Sequence, residues 1–206
     1  MSTRLARVPE LRRSDLAADP LEQFRRWYAE AADAVETPDA LALATAAEDG
    51  SPSVRMVLLK AADERGFTFF TGYVSRKAAE LEANPRAALL FHWAPLGRQV
   101  RVEGTVERVP AEESDEYFAT RPRGAQLAAV ASRQGALLMS RDELDARVDE
   151  LEREHRGAAV PRPAHWGGYR LRPDAYEFWQ HRDDRLHDRF RFRREGDGWG
   201  RERLSP

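Results

Sequence analysis

The chain has 206 residues, 42% of them hydrophobic and 33% charged, the balance of a globular protein able to bury a substantial core. Thirty-three lysines and arginines against 35 acidic residues leave a formal net charge of −2, so no global field favours nucleic acid or an anionic membrane, and cationic function must be local. The absence of cysteine excludes disulfides, thiolate nucleophiles and thiolate-held metals, and the five histidines show no metal-ligand spacing.

Residues 1–19 are arginine-rich, which suits a mobile arm. Met1 to Arg13 lacks the apolar core of a signal peptide, and no run approaches membrane-spanning length, so a cytoplasmic protein is expected. Asp19 before Pro20 is a helix entry, and Leu21, Phe24, Trp27, Tyr28 and Ala31 give an apolar stripe over 21–34. Residues 41–46 read as a buried strand, turning at Asp49-Gly50 into a second strand over 54–60. Residues 67–71 continue the sheet, and Ser75 opens a short helix ending near Asn84-Pro85.

Strands follow over 87–93 and 99–109. In the second, Val100, Val102 and Val106 share one face, and Gln99, Arg101 and Glu103 the other. Helices are expected over 111–120 and 126–131, and Ser140 to Glu143 is a capping box opening a charged helix to about His155. Strands over 168–172, 176–180 and 186–193 close the sheet, with 199–204 as a possible last strand. This is antiparallel β with peripheral helices, one domain over 20–206.

Two segments carry candidate chemistry. In Ser75-Arg76-Lys77 two cations stand in a first helical turn, where the macrodipole disfavours them; an anion such as a mononucleotide phosphate would account for them, as would simple solvent exposure. In Arg185-Leu186-His187-Asp188-Arg189 a strand would put Arg185, His187 and Arg189 on one face, and Leu186, Phe190 and Phe192 on the other, toward a core. That is an anion site beside Trp179 or a solvated basic edge. Tyr117 and Arg121 share a helical face if their helix reaches Arg121. Arg55 and Lys60 have opposite parity on their strand, which aims them at different groups.

With the motifs Arg55-Met56-Val57-Leu58-Leu59-Lys60, Arg98-Gln99-Val100, Tyr117-Phe118, Arg121-Pro122-Arg123, Trp166-Gly167-Gly168 and Glu177-Phe178-Trp179-Gln180, the chain resembles the pyridoxamine/pyridoxine 5′-phosphate oxidases from about Asp15 to Pro206. The resemblance implies a split β-barrel that binds FMN at a homodimer interface and oxidises a small phosphorylated pyridine with O2, releasing H2O2. It assigns Arg55, Met56, Val57, Leu58, Leu59, Lys60, Phe70, Thr71, Arg76, Lys77, Gln99, Gln134, Gly135, Trp179 and Arg189 to FMN. It gives Lys60, Tyr117, Arg121, Ala125, Arg185, Leu186 and His187 to substrate, with Arg185 and His187 orienting the reacting carbon. It implies no metal, nucleic-acid or membrane partner.

Departures from the family pattern fall at Ala125 and Gly135, where serines are usual, at His181, where glycine is common, and in the N-terminal segment, which lacks the usual Arg-Arg-x-Tyr. They leave open a related flavin oxidase of secondary metabolism, of the phenazine type, or a non-catalytic flavin or pyridoxal phosphate binder.

Overall fold

The computed structural model describes residues 10–206. Among these, nine strands form one antiparallel sheet: β1 (Ala40–Ala46), β2 (Pro52–Leu58), β3 (Ala61–Asp63), β4 (Gly66–Gly72), β5 (Arg86–Trp93), β6 (Arg98–Arg108), β7 (Trp166–Gln180), β8 (Asp188–Glu195) and β9 (Gly198–Leu204). The order is β2-β1-β5-β6-β7-β4-β3, and β8 also pairs with β7 and carries β9 on its far side. Five helices surround it: α1 (Pro20–Ala34), α2 (Arg76–Ala83), α3 (Ala111–Thr120), α4 (Arg123–Ala131) and α5 (Arg141–Glu154).

The entry into α1 follows the sequence. The Asp19 carboxylate accepts from the backbone N–H of Leu21 and Glu22 at 2.7 and 3.1 Å, with Pro20 in the first turn. The apolar stripe closes the sheet: the Phe24 ring lies 4.9 Å from Phe67 and 5.0 Å from Phe91, and Trp27 meets Phe178 edge-on at 5.3 Å. Leu41, Leu43, Leu89, Phe91, Val100, Val102, Phe178 and Phe192 are sealed in the same core. A smaller cluster of Phe118, Leu127, Leu151, Val160 and Trp166 holds α3, α4 and α5 together.

Three expectations are corrected. The stretch 10–19 is packed, not an arm: Leu11, Leu16 and Ala17 are buried, and the Leu11 and Ala17 backbone N–H groups donate to Asp188 and Gln23. The arginines drew attention away from the buried Leu11, Leu16 and Ala17 between them; the rest of the expected arm lies outside the described residues.

The strands expected over 168–172 and 176–180 are one strand. Its partner β6 shifts register between Glu103 and Gly104, so Asp174 is an extra residue and Pro173, which has no N–H to donate, sits at a bulge. Gly104 is needed there, because a Cβ would stand 2.0 Å from the Arg172 carbonyl oxygen. One edge of β7 runs along β6, while its other edge pairs first with β4 and then with β8.

The strand expected over 186–193 is β8, which begins at Asp188, not Leu186. Residues 182–187 form a turn, with the Arg185 N–H donating to the Arg182 carbonyl and Arg185 at φ +64°. Alternation therefore does not apply to Arg185 and His187. Leu186 is exposed, while Phe190 and Phe192 are buried as expected.

Candidate active site

A cleft of about 810 Å³, within the size range of small-molecule sites, opens between β2, β4, the start of α2, and the helices α3 and α4. Ser75 holds the N-cap position of α2, yet no side chain caps the helix. Its hydroxyl instead lies 3.3 Å from the Lys77 ammonium, which also donates to Thr71 Oγ1 and Gln134 Oε1 at 3.2 Å each. Lys77 is 6% exposed, and burial, then the nearby Arg55, pulls its pKa down. The Lys77 ammonium thus sits beside the uncapped start of the helix, where free backbone N–H groups also favour an anion.

Glu80, one turn further on, organises the other two cations. Its buried carboxylate accepts from Arg76 Nε at 2.7 Å and from Arg55 at 3.1 Å, and from the hydroxyls of Thr45 and Ser53. Burial alone would raise its pKa, but these four hydrogen-bond donors hold it down at about 2. Three cations around one carboxylate leave a local charge of about +2, complementary to a phosphate dianion.

The cleft has an aromatic wall. The Phe70 ring stacks on Tyr117 at 4.0 Å and on Trp166 at 5.4 Å, with interplanar angles of 21° and 13°. Gly168 permits this, since a Cβ there would stand 2.8 Å from the Phe70 ring. Arg121 follows the end of α3 in an extended conformation, so the shared helical face does not exist, yet Tyr117 and Arg121 both line the cleft. The guanidinium lies 4.7 Å over Trp166, and its buried NH1 finds no hydrogen-bond partner among the described residues. Burial pulls the Arg121 pKa down. A buried donor without an acceptor is unfavourable by about 1–3 kcal/mol, so this group is poised for an anionic ligand. Lys60 also lines the cleft, its ammonium 3.0 Å from Asp39.

The cleft thus gathers Arg55, Met56, Val57, Leu58, Lys60, Phe70, Thr71, Arg76, Lys77, Tyr117, Arg121, Gln134 and Gly135. Arg55 and Lys60 both reach it despite their opposite parity, because β2 is an edge strand and consecutive residues 53–58, of both parities, line the cleft. Leu59 is buried in the core, and Ala125, in the first turn of α4, is not part of the lining.

Gln99, Trp179, Arg185, Leu186, His187 and Arg189 lie outside this chain's cleft. They belong to a second cluster, where Gln99 pairs with Trp179 across β6 and β7 and the His187 ring is 4.6 Å from Trp179. His187 Nδ1 accepts the Arg182 N–H at 3.0 Å, which leaves its proton on Nε2; burial, then His181 and Arg185, lowers its pKa. Arg189 donates to Glu177 at 2.8 Å, and Glu177 also takes Arg101 at 2.6 Å. Sequence reasoning missed Glu80, Trp166 and His165 as site residues. Glu80 was findable from its i, i+4 spacing to Arg76.

Residues 28–154 match the family model described as pyridoxamine 5′-phosphate oxidase, and residues 166–206 match that of the pyridoxine 5′-phosphate oxidase C-terminal dimerisation region. The pyridoxine/pyridoxamine 5′-phosphate oxidase of Rubrobacter xylanophilus is 60% identical over 189 residues, 91% of this chain and 87% of that protein. The protein of the same name from Salinibacter ruber is 56% identical over 202 residues, 96% and 94% of the two chains. The crystal structure of PhzG from Burkholderia lata 383, in complex with tetrahydrophenazine-1-carboxylic acid, is similar at TM-score 0.91 and 36% identity, covering 98% of this chain and all of that one. A pyridoxamine 5′-phosphate oxidase-related, FMN-binding protein from Nostoc punctiforme shares the fold at TM-score 0.73 and 14% identity, over 93% of this chain and 100% of that chain. With two family models in succession, relatives above half identity over nearly its whole length, and the expected split-barrel sheet, the chain belongs to the pyridoxamine 5′-phosphate oxidase family.

Proposed function

We propose that this chain is an FMN-dependent oxidase that converts pyridoxine 5′-phosphate or pyridoxamine 5′-phosphate to pyridoxal 5′-phosphate. The alcohol and one O2 give the aldehyde and H2O2; the amine also takes up water and releases ammonia. The observation that carries the reading is the pairing of two cationic groups in one aromatic-walled cleft: Arg55, Arg76 and Lys77 around the start of α2, and Lys60 with the unpartnered Arg121. Two phosphorylated ligands, cofactor and substrate, account for both. The donor chemistry fits FMN, since the local charge of about +2 beside uncapped helix N–H groups suits a phosphate and Gln134 and Thr71 offer polar contacts nearby.

When bound, the flavin supplies the two-electron acceptor, and the protein supplies binding and orientation. Arg76 and Lys77 hold the cofactor phosphate. Lys60, Tyr117 and Arg121 hold the substrate phosphate, and the Phe70–Tyr117–Trp166 stack shields the cleft from water. The cluster of Trp179, Arg185, His187 and Arg189 completes the cleft of a second copy in a homodimer. Supporting this are the match to a dimerisation region and the apolar side chains that β2 exposes at the cleft, Val54 at 68%, Met56 at 64% and Leu58 at 46%. The partner's Arg185 and the partner's His187 would then orient the reacting carbon, Arg185 by charge and His187 by its Nε2 proton.

Peroxide release on adding pyridoxine 5′-phosphate to the flavin-loaded protein tests the reading, with rapid release expected. A protein that releases none, yet oxidises an unphosphorylated reduced phenazine, belongs instead with the PhzG-like enzymes.

A further inference from the structure

We infer that Asp39 sets the affinity of this chain for the phosphate of its substrate by competing for the Lys60 ammonium. The inference rests on the proposed function only for the identity of the ligand. Of the two cations assigned to the substrate phosphate, Arg121 faces aromatic rings and keeps an unpartnered N–H. Lys60 is already paired with Asp39 at 3.0 Å.

The pair is built, not a chance meeting of mobile chains. The Asp39 carbonyl accepts the Leu59 N–H at 2.8 Å, and the Lys60 N–H donates to the Thr68 carbonyl at 2.8 Å. The turn carrying Asp39 is fixed twice more, by Trp93 Nε1 on the Pro38 carbonyl and by the Ala40 N–H on the Thr37 carbonyl. Asp39 therefore cannot withdraw far. Lys60, on a long flexible stem, can turn into the cleft it lines.

An arriving phosphate must share or displace the carboxylate and bind in its field. Both side chains keep about a quarter of their surface exposed, so the pair is open to an arriving ligand. A substrate without phosphate has no quarrel with Asp39, so the carboxylate weakens phosphorylated ligands selectively.

The test is Asp39→Asn in the flavin-loaded protein, which removes the charge and keeps an acceptor oxygen. The KM for pyridoxine 5′-phosphate and the Kd for inorganic phosphate should both fall about two- to fivefold, the range of a partly exposed ion pair, with kcat and the Kd for unphosphorylated pyridoxal unchanged. Asp39→Glu should restore wild-type constants, and in a Lys60→Met background Asp39→Asn should have no effect on phosphate. Should Asp39→Asn fold poorly, Asp39→Ser removes the same charge. Phosphate affinity that is unchanged or weaker in the charge-removing variant overturns the inference. Tighter phosphate binding without turnover of pyridoxine 5′-phosphate in either protein would leave it standing and overturn the proposed oxidase reaction instead.

Discussion

Glu80 concentrates the logic of the site in one residue. A buried carboxylate would ordinarily resist ionisation, but four donors hold it charged, and it in turn fixes Arg55 and Arg76 beside Lys77. Because its folded pKa of about 2 lies below its ordinary 4.5, the stability it contributes is present above about pH 4.5 and is lost as pH falls toward 2. Glu80→Gln should therefore melt below the wild type at neutral pH, with the gap narrowing through that acid window. Thermal unfolding followed at several pH values measures it, and a gap that does not change with pH would mean that Glu80 acts by shape alone.

At the scale of elements, the start of α2 bears the cofactor assignment. Arg76 is well exposed, so Arg76→Ala should leave the fold intact while removing one charge-assisted contact of roughly 1.5–3 kcal/mol, a loss of about tenfold or more in FMN affinity. Flavin fluorescence reads this directly, and an unchanged Kd would move the phosphate elsewhere. This helix was legible in the sequence from Ser75 before it and Asn84-Pro85 after it. α1, the β1–β2 hairpin and the inward valines of β6 were legible too, from periodicity and turn chemistry. The unity of β7 was not: Pro173 reads locally as a break, and only the register of β6 shows that it marks a bulge. Likewise alternation misplaced Arg185 and His187, because the positive φ of a non-glycine residue leaves no mark on the hydrophobic pattern.

For the whole molecule, one chain holds two separated half-sites. On the proposed reading, the cleft carries the cations for the two phosphates, and the cluster around Trp179 carries the groups for the reacting carbon. Arg121→Ala and Arg185→Ala should each be nearly inactive as pure proteins. Unfolded together and refolded, half of the dimers become mixed, each with one intact cleft, so about a quarter of wild-type turnover should return. If every chain completes its own cleft, mixing restores nothing. Sequence could list both sets of residues but not their separation, because that depends on which strands flank β7.

The left-handed backbone of Arg185 sets a conflict between durability and chemistry. Glycine would adopt φ +64° without strain and close the same 182–185 turn, whereas any side chain there works against its own Cβ. A guanidinium is nonetheless what the proposed reaction asks of this position. On that reading, arginine at this position gives up fold stability for turnover.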